Sequence, residues 1–224
     1  HATARSLKKS KTMSIGVVLP NITDATFSQL FTGIERTLSE KQYTASLYIT
    51  SEIAANENKI FEQIRSQRMD GVIVATCQPQ NKKIFDELLK AGIKLVLIER
   101  NIEDKDYNFV GFNNYKVIHD TVCQLISDGY KTIAIVTGPK EYSSEKMCIE
   151  SYSSALKQHG ISLNNKLIEI TNFNKESAFK AAFRLLQLGE VPEVIITSSM
   201  QLAEGIMAVI NICEVNLLRK PLVV

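Results

Sequence analysis

The chain alternates two hydrophobic rhythms from end to end. Short apolar runs alternate with longer stretches whose apolar residues return every three or four positions, the signatures of buried strands and one-sided helices. Ser14-Ile15-Gly16-Val17-Val18-Leu19-Pro20 is such a run, closed by a proline. Asn21-Ile22-Thr23-Asp24 supplies turn and cap chemistry, and Phe27, Leu30, Phe31, Ile34 and Leu38 then mark a helix packed by one face. The same reading predicts a strand over Ala45–Thr50, a helix over Ala55–Gln67 with Ile60, Phe61 and Ile64 inward, and a strand over Gly71–Ala75. A helix follows through Ile84, Phe85, Leu88 and Leu89, stopped at Gly92, and then a strand over Lys94–Ile98 that ends in Glu99-Arg100. Phe109–Phe112 reads as a short strand beside a boundary, after which the build begins again.

In the second half, Tyr115–Asp128 is expected to be a helix that buries Val117, Ile118, Thr121, Val122, Leu125 and Ile126, ended by Gly129. Thr132–Thr137 is the next strand, Ser143–His159 a helix stopped by Gly160, and Leu167–Ile170 a strand. Lys175–Leu188 is a helix ended by Gly189, Val194–Thr197 a strand, and Met200–Cys213 a helix. Leu222-Val223-Val224 begins a further strand and stops within it, so the second half is expected to be incomplete. Strict alternation of this kind points to an α/β fold of two doubly wound parallel-sheet lobes, with helices on both faces of each sheet. The expected division is an arm over residues 1–12, a first lobe over 13–112 and a second over 113–224.

Composition is that of an ordinary globular protein, with no apolar run near the roughly 20 residues of a membrane span. Cys77, Cys123, Cys148 and Cys213 are scattered without a CxxC or paired Cys/His spacing, so free thiols are expected, and neither a metal site nor a cofactor. The net charge of +2 hides an asymmetry. Arg5, Lys8, Lys9 and Lys11 stand in the first eleven residues with no acid among them, leaving 22 basic against 24 acidic side chains in the rest. The arm suits phosphate contact and the body does not.

The join between arm and first strand, ARSLKKSKTMSIGVVLPNITDATFSQLFTGIE, resembles the hinge and first strand of LacI/GalR-type bacterial transcription regulators. VGFNNYKVIHDTVCQLISDGYKTIAIVTGP resembles that family's crossover into its second lobe, and EVIITSSMQLAEGIMAVI the strand and helix that border its effector cleft. The resemblance implies a periplasmic-binding-protein-like core that forms a homodimer in the cytoplasm. It also implies operator DNA as a partner, through a headpiece ahead of residue 1 and through the hinge. Leu7 would be a wedge in the minor groove, and Arg5 and Lys8, with Lys9 and Lys11, would clamp the phosphates.

A small-molecule effector is implied in the cleft, at loops following the carboxyl ends of the strands. The first-lobe candidates are Pro20, Asp24, Thr26, Phe27, Ala75, Thr76, Glu99 and Arg100, and the second-lobe ones Cys148, Tyr152, Phe173, Ser198 and Ser199. Two departures bear on the ligand. Where the family carries an arginine in an R-x-x-G-[FY] element, this chain has Cys148-Ile149-Glu150-Ser151-Tyr152, and its Asn-Asp pair is Ser198-Ser199. Losing a bidentate guanidinium weakens the case for a simple sugar.

No nucleotide-binding, hydrolase or zinc-protease motif is present, and His1, His119 and His159 are far apart, the last two expected on the surface. Catalysis is not expected. The competing reading is a solute-binding protein of a transport system, which shares the bilobed architecture and would carry an export signal in place of a basic arm.

Overall fold

A computed structural model describes residues 11–213 and 220–224. The hinge candidates Arg5, Leu7 and Lys8 lie outside the described residues. The chain divides into two compact units, the first ending at Phe112 and the second beginning at Asn113.

The first unit is a sheet of β1 (Ser14–Leu19), β2 (Thr44–Ile49), β3 (Gly71–Val74), β4 (Lys94–Ile98) and β5 (Asn108–Val110). The spatial order is β2-β1-β3-β4-β5, and every pairing is parallel. The connections are α1 (Ala25–Glu40), α2 (Ala54–Ser66) and α3 (Lys82–Lys90). Strand alternation sorts the core into two faces. Val18, Val72, Val74, Leu95 and Leu97 pack under α2 and α3, where Phe61 and Phe85 meet edge to face at 5.5 Å. Val17 and Leu19, with Ala75 and Ile98, lie under Phe27, Phe31 and Ile34 of α1. That helix packs by one face, as its spacing predicts, yet none of its residues is fully buried.

The second unit repeats the plan with β6 (Ile133–Thr137), β7 (Ile168–Ile170), β8 (Val194–Thr197) and β9 (Leu222–Val223), in the order β7-β6-β8-β9 and again all parallel. One face is covered by α4 (Asn114–Ser127) and α5 (Ser143–Gln158), the other by α6 (Lys175–Leu186) and α7 (Met200–Cys213). On the second pair the helices approach closely. A Cβ at Gly205 would stand 2.7 Å from both Ala178 Cβ and the Lys175 carbonyl, so only glycine fits there.

Four expectations are corrected. Gly129 and Gly160 adopt the left-handed conformation that ends α4 and α5, but Gly189 ends nothing, because α6 closes at Leu186 with the Gln187 N–H on the Phe183 carbonyl. Val117 is 59% exposed, since the buried stripe of α4 runs through Ile118, Val122 and Leu125, one residue out of phase with it. Leu89 is displaced from the core in the same way by Phe85 and Leu88. Leu167 belongs to a short 3-10 turn, Asn165–Leu167, rather than to β7.

The four cysteines are free. His159 is exposed, whereas His119 is half-buried and stacked on Tyr115. Among the described residues no helix is long and apolar enough to cross a membrane.

Candidate functional site

In each sheet the strand order reverses once, between β1 and β3 in the first unit and between β6 and β8 in the second. Loops leaving opposite ways from such a point open a crevice at the carboxyl ends of the strands. Pro20 follows β1, Ala75 and Thr76 follow β3, and Ser198 and Ser199 follow β8; Glu99 and Arg100 follow β4, Phe173 follows β7, and Cys148 and Tyr152 lie on α5.

In the first unit Pro20 is buried at the end of β1, and its carbonyl accepts the Ser51 N–H at 2.9 Å. Asp24 is the N-cap of α1, taking the Thr26 N–H on Oδ1 at 2.8 Å, while Asn21 holds the Asp24 N–H at 2.9 Å. Thr26 itself is exposed, and Phe27 turns half its ring onto the core. After β3, Ala75 is fully buried among Val17, Leu19 and Ile98. Thr76 is also fully buried, and its hydroxyl donates to Glu57 Oε1 at 2.7 Å. Glu57 is the centre of this corner. The Cys77 N–H reaches its Oε2 at 2.7 Å and the Gln78 side-chain amide its Oε1 at 3.3 Å, so one fully buried carboxylate of the first turn of α2 pins the loop that leaves β3. Burial first, and then the charge of Glu57, push the Cys77 thiol up to about 12.

At the end of β4, Glu99 takes a φ of +61°, a conformation uncommon for a side chain other than glycine, with its N–H on the Val110 carbonyl. Arg100 is buried. Its guanidinium donates to both Glu52 oxygens at 2.9 and 2.6 Å and to the Thr76 carbonyl at 3.0 Å. The bidentate geometry commits that cation to Glu52.

The second unit uses the same device. Glu145, in the first turn of α5 and 4% exposed, accepts the Gly138 N–H from the end of β6 at 2.8 Å. The Ser198 hydroxyl from the end of β8 reaches the same Oε2 at 2.5 Å, and Ser144 reaches Oε1 at 3.1 Å. Phe173, after β7, has a φ of +55° and lays its ring on Gly138, where a Cβ would fall 2.1 Å from Cζ. The Tyr142 ring lies 5.8 Å away, giving a paired aromatic wall. Cys148 is buried, and burial followed by the Glu145 charge holds its thiol up at about 12. It stays a neutral, weakly polar group. Tyr152 is a core residue whose hydroxyl donates to the Ile133 carbonyl at 2.7 Å, and burial raises it to about 12. Ser199 supplies the hydroxyl that receives the Leu202 N–H at the start of α7.

Of the first-unit candidates Thr76 bonds to both Glu57 and Arg100, and of the second-unit ones Ser198 bonds to Glu145 and Cys148 feels its charge; Asp24, Thr26, Phe27, Tyr152 and Ser199 keep local partners of their own. Sequence reasoning missed Glu52, Glu57, Glu145 and Tyr142. The signal available for two of them was a glutamate in the first turn of a helix that directly follows a strand. A groove of about 840 Å³ lies elsewhere, at the amino ends of β3 and β4, bounded by Arg65, Arg68, Asp70 and Gly92.

The sequence profile described as "Periplasmic binding proteins and sugar binding domain of LacI family" matches residues 12–213. Among curated relatives, the "Probable HTH-type transcriptional repressor ExuR" of Bacillus subtilis (strain 168) is 27% identical over 208 residues, 91% of this chain and 61% of that protein. The chain therefore spans about three-fifths of that relative's length. Two solved structures share the fold. The transcription regulator CcpA of Lactococcus lactis superposes with a TM-score of 0.83 at 22% identity, over 94% of this chain and 76% of that one. The Cra transcriptional dual regulator of Pseudomonas putida, in complex with fructose 1-phosphate, gives 0.81 at 18% identity, over 89% and 74%.

Proposed function

Given that the chain belongs to the family of periplasmic binding proteins and LacI-type sugar-binding domains, we propose that it is the effector-sensing, dimerising part of a cytoplasmic, ligand-responsive transcription repressor. The observation that carries this reading is the likeness along 91% of the chain to the "Probable HTH-type transcriptional repressor ExuR". The basic arm ahead of β1 favours it over a transport binding protein, because four cations without an acid suit DNA phosphates. Operator DNA is the partner we assign to that arm, with Leu7 as the groove wedge and Arg5 and Lys8 as phosphate contacts.

Asp24, Phe27 and Glu99 in the first unit, and Phe173 and Ser198 in the second, are the effector contacts we infer. Pro20, Ala75, Thr76 and Cys148 back them, and Thr26 flanks them. An aromatic face such as Phe173 suits a ring, and the surrounding oxygens suit its hydroxyl or amino donors. The effector alters operator affinity only as far as it binds one conformation of the chain better than another.

A thermal-shift panel of sugars, phosphosugars and nucleobases tests the sensing half. A ligand at about 100 times its Kd adds about 2.7 kcal/mol, equivalent to a rise of roughly 5–10 °C for a chain of this length. A flat panel would remove the small molecule from the reading.

A further inference from the structure

The amino end of the first sheet holds a cluster that the effector reading does not use. Asp70 stands one residue before β3, and its backbone is tied on both sides. Its N–H donates to the Ser14 carbonyl of β1 at 2.9 Å, and its carbonyl accepts the Lys94 N–H of β4 at 3.0 Å. The carboxylate turns to the chain that enters β1. The Thr12 N–H reaches Oδ1 at 2.8 Å, and the Met13 N–H reaches Oδ2 at 3.1 Å. The Thr12 hydroxyl lies 2.8 Å from the Ser14 hydroxyl and 3.1 Å from both Oδ1 and the Arg68 carbonyl.

Two consecutive backbone N–H groups on the two oxygens of one carboxylate fix the orientation of the peptide between them as well as its distance. The conformation held there is uncommon for a residue other than glycine. Met13 has a φ of +52°, and its carbonyl is fastened to the Thr44 N–H at 2.9 Å, so the turn is gripped from both sides. This stretch follows directly in sequence on Arg5, Lys8, Lys9 and Lys11.

We propose that Asp70 is a positioning residue for DNA binding: by clamping Thr12 and Met13 it sets the direction in which the basic arm leaves the sheet, and it ties that direction to β1, β3 and β4. The proposal rests on the repressor reading above. A carboxylate is required, because a neutral side chain offers at most one strong acceptor to the two N–H groups. Aspartate is the length that reaches, since its neighbouring backbone is already committed to the sheet.

The test uses the whole regulator that contains this chain. Its operator is a duplex that the wild-type protein selects from a random-sequence library, and Asp70→Ala, Asp70→Asn and Thr12→Val are compared with wild type. Asp70→Ala is expected to speed amide exchange at Thr12 and Met13 by about tenfold or more, the loss of hydrogen bonds to a charged acceptor. The Val17 and Val18 amides keep their protection within about twofold. Operator affinity is expected to fall about tenfold. Thr12→Val retains both backbone bonds to Asp70 and is expected to stay within about threefold of wild type.

If Asp70→Ala does not fold, Asp70→Asn, which keeps one acceptor oxygen, is read in its place and should fall between. Unchanged exchange at Thr12 and Met13 would overturn the clamp. Faster exchange with operator affinity within twofold of wild type would reduce Asp70 to a strand-end fastening and overturn the proposal. A wild-type protein that selects no duplex would overturn the repressor reading itself, before any variant is made.

Discussion

Replacing Glu57 by glutamine changes one oxygen into an NH2 group and almost nothing in volume. Three donors converge on this fully buried side chain: the Thr76 hydroxyl and Cys77 N–H at 2.7 Å each, and the Gln78 amide at 3.3 Å. Glutamine offers them one oxygen and turns a donor towards the others. A hydrogen bond to a charged acceptor contributes about 1.5–3 kcal/mol net, and a buried donor left facing another donor costs about 1–3 kcal/mol. Because the amide can keep one of the two short bonds, the expected loss for Glu57→Gln is roughly 2–4 kcal/mol.

Native-state amide exchange is the suitable assay, because the chain divides into two compact units and a single bulk transition would mix them. Amides of β1 and β3 should lose protection by roughly 30-fold or more, the exchange equivalent of that energy. Those of β6 and β8 should not change. Thr76→Val alone removes one donor, and with Glu57→Gln it should be non-additive by about 1–2 kcal/mol, since the two groups touch. Glu57→Gln within about 0.5 kcal/mol of wild type would refute the view that this carboxylate pins the loop after β3.

Glu52→Ala should destabilise the first unit more than Arg100→Met, roughly 3–5 against 1–2 kcal/mol, as read by urea unfolding. The Arg100 side chain is 5% exposed and would stay buried without its bidentate carboxylate, whereas Glu52 is 28% exposed and can regain water. Stability should fall as pH rises from about 9 towards 12. The Cys77 and Cys148 thiols stay protonated in the fold up to about 12 but ionise near 9 once unfolded, so the unfolded state loses protons first. Melting temperatures across that window check the direction, and both thiols should resist alkylation at pH 8 in the native protein. Gly205→Ala should cost about 1–3 kcal/mol in thermal unfolding, because the new methyl meets the Lys175 carbonyl as well as Ala178.

The fold was legible because the buried strands are continuous apolar runs and the helices show one apolar stripe each, signals that need no knowledge of distant partners. Val194–Thr197 and Met200–Cys213 stand where the pattern puts them. Errors arose where a residue sits at the edge of a stripe, as with Val117 and Leu89, whose burial depends on the helix's rotation over the sheet. The loops at the carboxyl ends of the strands were legible because alternation of strand and helix puts them there, whereas the strand order was not. Glu57 and Glu145 were not. In sequence each is an ordinary polar residue in a helix, and their burial is decided by groups that arrive from elsewhere: Thr76, 19 residues on, and Ser198, 53 residues on. The left-handed turns at Met13, Glu99 and Phe173 carry no sequence mark of the kind a glycine leaves.

The central claim is that this chain senses a small molecule on behalf of a DNA-binding protein. Operator affinity of the whole regulator, measured by fluorescence anisotropy with and without a ligand identified in the thermal-shift panel, tests it most directly. The expected result is a change in Kd of about 5-fold to 150-fold in one direction, the usual range of coupling between two sites. A ligand that saturates the protein and leaves the operator Kd unchanged would contradict it.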